Sequence, residues 1–198
     1  QPAKREQPAI KHENMQINSY DLSAPAFCYP PDVEFEAQEK APWINAEFVW
    51  TGFDYLGEPT PYRSEWPSRS SYFGINDLAG LPKSRYYAYK ARWTDEKVLH
   101  LLPHWNWNEG EMVDVHCYTN LDRVSLYLNG EELSCRVVEG HRVNFGSIPF
   151  VPGELRALGY KNIDGIDRLV CTHTVKTAGE ARKLRLTAEK DAYRPGET

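Results

Sequence analysis

The chain has 198 residues, 41% of them hydrophobic and 13% aromatic, enough to bury one ordinary core or one core with part of a second. Its 28 acidic and 23 basic residues are well mixed and leave a net charge of -5, so no basic stripe is available to neutralise phosphates. No run approaches the roughly 18 consecutive apolar residues of a spanning helix, and the basic start "QPAKREQPAIKHENMQ" is not followed by the apolar centre of a signal peptide. Neither nucleic acid nor a membrane is expected as a partner.

Residues 1–31 are polar, carry five prolines and hold no sustained period of 2 or 3.6, which predicts a long loop. The chain opens on Gln1 rather than Met, and "LRLTAEKDAYRPGET" at the other end reads as a strand and a Pro195-Gly196 turn leading nowhere. It is therefore expected to be a piece of a longer chain. Pro30-Pro31 followed by Asp32 marks a helix start, and "DVEFEAQEKA" spaces Val33, Ala37 and Lys40 helically before Pro42. Next, "AEFVWTGFDY" is a nearly continuous apolar run of strand length, the pattern of a strand buried on both faces in a parallel sheet. About 25 residues of Pro, Gly and Ser without period come after it, and "LPKSRYYAYKARW" then places Tyr86, Tyr89, Lys90 and Trp93 on one helical face. Strand, long loop and helix make a βα unit; in barrels of such units the active site lies at the carboxyl ends of the strands.

From Lys97 the period becomes 2. Seven candidate strands, "KVLHLLPHW", "MVDVHCYT", "RVSLYLNG", "EELSCRVV", "HRVNFGSI", "GELRALGYK" and "DRLVCTHTV", are separated by Asn-Gly, Gly, Pro-Gly and Asp-Gly turns. They predict an immunoglobulin-like sandwich, with "TAGEARK" as a linker into a further β domain.

Cys28, Cys117, Cys135 and Cys171 form no C-x-x-C pair, and the sixth strand lacks the cysteine of the antibody-type bridge, so four free thiols are expected. His100 and His104 have helical metal spacing but lie in a strand-like run broken by Pro103, and plain strand or surface histidines are the better expectation. Asn108-Glu109 resembles the pair glycosidases often use, Glu as general acid and Asn on the sugar 2-hydroxyl, yet it sits with Gly110 between two sandwich strands and reads as a hairpin turn. Trp50, Asp54 and Glu58 are different. They run from the end of the apolar strand into the loop, and a ring beside carboxylates suits a sugar, the ring covering C–H groups while the carboxylates accept from hydroxyls. A competing, non-enzymatic reading is a carbohydrate-binding or spacer sandwich with Trp105 and Trp107, on one face of "PHWNW", as its platform.

"EFVWTGFDYLGEPTPY", "YFGINDLAGLPKSRYYAY", "VLHLLPHWNW", "YTNLDRVSLYLNG" and "PFVPGELRALGYKN" together resemble the bacterial β-galactosidase-like members of glycoside hydrolase family 2, in the right order over nearly the whole chain. The resemblance implies a mainly β chain with some α. Residues 1–95 would be the last part of a (β/α)8 TIM barrel, with strand eight at Glu47 to Asp54, 96–177 the following immunoglobulin-like β-sandwich, and 178–198 a linker and first strand of another β domain. It also implies a parent that is a retaining glycosidase hydrolysing terminal β-linked galactose with two glutamates, both upstream of Gln1. The chain alone would hold no catalytic residue and be inactive.

In the family pattern Trp50 is expected to floor the subsite for the non-reducing sugar, with Asp54 and Glu58 at acidic positions nearby. Ala46 replaces the Gly of "GEFVW", and Cys135 stands where a Gly often ends a hairpin. Family members that use magnesium or sodium hold it near the acid/base; no carboxylate cluster with ligand spacing occurs here, so neither cofactor nor metal is expected in this segment. Expected partners are a carbohydrate substrate and the rest of the parent chain, a homo-oligomer being compatible, and the resemblance implies a periplasmic or extracellular location.

Overall fold

The computed structural model describes residues 29–57 and 70–183, with 187, 190, 192, 194 and 195 beyond them. The expected strand after Lys183, Glu58 and Cys28 lie outside the described residues.

Two helices lead. α1 spans Pro31–Glu39, with Pro31 in its first turn, where a missing N–H costs nothing, and Asp32 and Glu34 near the positive end of the helix dipole. α2 spans Ser84–Trp93 and carries Lys90 and Arg92 in its last turn, the complementary arrangement. α1 buries Pro31 and Phe35, the Phe35 ring meeting Tyr89 and Trp93 edge-on at 5.4 and 6.1 Å. Arg92 covers Phe35 at 5.3 Å from the ring centroid and pairs with Glu39, so the two helices are joined by one aromatic cluster with an ionic edge.

All seven expected sandwich strands form: β1 Leu99–Leu102, β2 Met112–Thr119, β3 Arg123–Leu128, β4 Glu131–Val137, β5 Arg142–Pro149, β6 Glu154–Ile163 and β7 Ile166–Lys176. One sheet has the order β1-β2-β5 and the other β4-β3-β6-β7, with every pair antiparallel. Alternation fills the space between the sheets with Leu101, Val113, Val115, Val124, Leu126, Val143, Leu155 and Ala157. Trp105 closes this core at 0% exposure, its ring 5.2 Å from Phe150 and its indole N–H donating to the Val151 carbonyl at 3.0 Å. A carbohydrate platform cannot be built from it. Trp107 packs against the same core and stacks on His104 at 5.0 Å.

Two turns explain the strand order. Asn129-Gly130 has φ of 52° and 92°, and Asp164-Gly165 has 54° and 81°, the paired positive values of the tight hairpin turn that matches strand twist. Asn129 does more: its carboxamide oxygen accepts from the Glu154 N–H at 2.8 Å and its NH2 donates to the Pro152 carbonyl at 3.1 Å, tying the β3–β4 turn to the start of β6. Cys117, Cys135 and Cys171 are free thiols, and burial pushes the Cys117 thiol well above its ordinary pKa.

Helix α2 lies on the three-stranded sheet. Ala88 is buried with Leu102 and Tyr118, and Tyr87 stacks on His100 at 3.8 Å with the rings 6° from parallel. At the other helix, Asp32 pairs with Arg142 of β5 at 3.2 Å, and Arg142 also donates to the Tyr118 hydroxyl at 2.6 Å.

The expected strand from Glu47 to Asp54 does not form as such. Residues 45–50 have no regular structure, and Phe48 is fully exposed at 101% where a strand buried on both faces would hide it. A strand of a parallel sheet needs hydrogen-bonding neighbours on its edges, and residues 45–50 make no backbone hydrogen bond with another described residue. Pairing starts only at Thr51.

Candidate functional site

Thr51 to Asp54 run parallel to Phe73 to Asn76. The Thr51 N–H donates to the Phe73 carbonyl at 3.3 Å, Ile75 N–H to Thr51 at 2.9 Å, Asn76 N–H to Gly52 at 2.9 Å and Asp54 N–H to Asn76 at 2.9 Å. Gly74 is required by the closeness of this pairing, since a Cβ there would lie 2.2 Å from the Asp54 nitrogen and 2.3 Å from the Asn76 oxygen.

Asp54 sits at the centre with its side chain 5% exposed. One carboxylate oxygen accepts from the Ser71 hydroxyl at 3.0 Å and from the Gly74 N–H at 2.8 Å; the other pairs with the Lys83 ammonium. Ser71 in turn accepts from the Tyr55 N–H at 3.1 Å, while its own N–H donates to the Tyr55 carbonyl at 2.7 Å. Lys83 is the N-cap residue of α2, and its N–H donates to the Ile75 carbonyl at 3.1 Å. The loop is thereby stapled to the start of the helix.

Trp50 stands at the edge of this staple. It is 70% exposed, its ring meets Tyr55 edge-on at 5.9 Å, and its indole N–H donates to the Tyr55 hydroxyl at 3.1 Å. The Trp50–Thr51 peptide is cis. With its polar edge occupied, the 70% exposed indole offers apolar ring surface to its surroundings. Nearby, burial and then the like charge of Glu47 raise the pKa of Glu34 on α1, against the opposing pull of a backbone hydrogen bond at Tyr29 and of Arg85.

Of the three residues singled out in the sequence, Trp50 and Asp54 are brought together by Tyr55 and Ser71, while Glu58 lies outside the described residues. Asp54 spends its carboxylate inside the protein. Ser71, Gly74 and Lys83 are missed by sequence reasoning: they lie 17, 20 and 29 positions from Asp54 in an aperiodic stretch, and only Lys83, just before a helical pattern, carries a local signal. Glu109 is exposed in the turn before β2, and the Asn108 N–H and NH2 donate to Glu111 at 3.2 and 3.1 Å. Among the described residues no group of three or more His, Cys, Asp or Glu could hold a metal ion.

The described residues thus define an immunoglobulin-like β-sandwich with a two-helix lead-in and an exposed indole beside it. Residues 110–164 match the family described as Domain of unknown function (DUF4982). The chain is 43% identical over 150 residues to β-galactosidase BoGH2A of Bacteroides ovatus, covering 75% of this chain and 17% of that protein. It is 28% identical over 186 residues to a β-glucuronidase of Formosa agariphila, covering 89% of this chain and 18% of that one. A β-glycosidase structure from Bacteroides vulgatus superposes with a TM-score of 0.76 at 33% identity, over 91% of this chain and 22% of that one. The chain belongs to glycoside hydrolase family 2, and it spans less than a fifth of the length of these two curated relatives.

Proposed function

We propose that this chain is part of a retaining β-glycosidase that releases terminal β-linked galactose from oligo- or polysaccharides, and that Trp50 forms one wall of its sugar pocket. The observation that carries the proposal is the indole of Trp50, 70% exposed yet fixed at its polar edge by Tyr55. Galactose is favoured over glucuronate by the higher identity to the Bacteroides ovatus β-galactosidase, 43% against 28% for the Formosa agariphila β-glucuronidase. In this proposal residues 1–95 complete a catalytic barrel, 96–177 are the sandwich that supports it, and 178–198 lead into a further β domain. The two carboxyl groups of a retaining site, about 5–5.5 Å apart, come from outside the 198 residues, and a periplasmic or extracellular location accompanies the activity.

The test is hydrolysis by the full-length protein of chromogenic β-galactoside and β-glucuronide, with Trp50→Ala beside the parent. The expected result is preference for the galactoside and a fall in kcat/KM of about tenfold or more, equivalent to ~1.4 kcal/mol of lost transition-state binding, in Trp50→Ala. Preference for the glucuronide would overturn the sugar assignment. Unchanged kcat/KM in Trp50→Ala would remove Trp50 from the pocket.

A further inference from the structure

Asp54 has the chemistry of a sugar ligand and the surroundings of a structural anchor. A carboxylate with a side chain 5% exposed is stable only with its oxygens paired, and here both are: Ser71 and Gly74 hold one, Lys83 the other. A substrate hydroxyl would compete with partners already in place. The same bonds lead outward in two directions. Through Ser71 they reach both the N–H and the carbonyl of Tyr55, whose hydroxyl holds the Trp50 indole. Through Lys83 they reach the first turn of α2, which rests on β1 and β2 through Ala88, Leu102 and Tyr118.

We propose that Asp54 is a positioning residue: with Lys83, Ser71 and the Cβ-free Gly74 it fixes the Trp50–Tyr55 ring pair to α2, so that the sandwich sheet is the base on which the sugar-facing indole is held. The inference rests on the proposed role of Trp50 and adds the residues that govern it. Lys83, 29 residues from Asp54, then controls substrate affinity without touching substrate. Removing its ammonium leaves a buried carboxylate uncompensated, and the loop must open to hydrate it. Asp54→Asn keeps shape but weakens both the ionic pair and the charge-assisted bonds.

The experiment uses the full-length protein with Asp54→Asn, Lys83→Met, their double variant, Lys83→Arg and the milder Ser71→Ala. Asp54→Asn and Lys83→Met are each expected to raise KM about tenfold with kcat within about threefold, and the double variant to be no worse than the poorer single one, because the two act as one unit. Lys83→Arg keeps the charge and should stay within about threefold of the parent. Hydrogen exchange needs no substrate: amides of 51–57 and 73–76 should exchange about tenfold faster in Lys83→Met and measurably faster in Ser71→Ala, with β2 and β6 unchanged. Additive losses in the double variant, with unchanged exchange in Lys83→Met, would make Asp54 a direct ligand and overturn the proposal. Faster exchange together with an inert Trp50→Ala would leave the clamp standing, overturn its role in affinity and sink the proposed pocket wall separately.

Discussion

The sandwich and the segment that precedes it are built on opposite terms. Between β1 and β7 each strand finds its partners within the chain, and Trp105, Val115, Leu126 and Leu155 are entirely buried. Between residues 43 and 56 the large apolar side chains Trp43, Ile44, Phe48, Trp50, Phe53 and Leu56 all stand exposed. Similar hydrophobicity thus gives a core in one place and a bare apolar surface in the other. What differs is the reach of the hydrogen-bond partners: antiparallel hairpins close over two residues, whereas a parallel strand needs neighbours brought from a distance. Where residues 43–56 do pair with another strand, at Thr51 to Asp54, they rely on a buried ion pair and a Cβ-free contact rather than on apolar burial.

That contrast can be broken most severely at Trp105. Trp105→Ala removes a fully buried ring and its bond to Val151 and should cost about 3–5 kcal/mol in a denaturant titration, with loss of α2's footing as the sheet loosens. A loss under about 1 kcal/mol would mean that the sandwich core is not the frame of the molecule.

A change of pH sharpens the comparison with a smaller effect. Burial, and after it the neighbouring His173, lowers the pKa of His100 to about 4; burial and then Arg142, against Asp114, lowers that of His116 to about 4. Burial lowers His173 as well. Each folded value lies below the ordinary histidine value of about 6.5, so the unfolded chain binds the extra protons. The stability due to the neutral rings is complete above about pH 6.5 and is lost as pH falls towards 4. Thermal unfolding followed by near-ultraviolet circular dichroism should show Tm declining through this window. His100→Phe should flatten part of the decline, because an aromatic ring remains to stack on Tyr87; an unaltered slope would place the responsible protons elsewhere.

The smallest effect is expected at Glu109. It is exposed in a turn, with no part in the core or the Trp50 staple, so Glu109→Gln should change unfolding free energy by no more than about 0.5 kcal/mol and leave hydrolysis by the full-length protein intact. A large loss of activity would move the sugar pocket onto the sandwich.

The sandwich was legible in the sequence because its information is local. "LNGEEL" and "NIDGID" each announce a hairpin, and period-2 alternation on either side sets which residues face inward. Trp105 and Trp107 lie two apart on one face in either reading, and alternation alone left core and platform open; the indole bond to Val151, 46 residues away, decides for core. The run "EFVWTGFDY" has the composition of a strand, but strand formation depends on edges that composition cannot supply. The staple is hidden for a related reason: Gly74 matters only because the backbone of Asp54 passes within reach of its absent side chain, and no spacing rule links them.

The carboxamide of Asn129 joins a very short connection to a long one. β3 and β4 meet across a two-residue turn, the shortest connection a hairpin uses. That turn displays both the acceptor for Glu154 and the donor for Pro152, 25 and 23 residues further along, so that β6 is held at its first residue. Closing so long a connection costs entropy that grows only slowly with its length. Asn129 is therefore a brace that fixes the alignment of β6 beside the β3–β4 hairpin as well as closing its own turn.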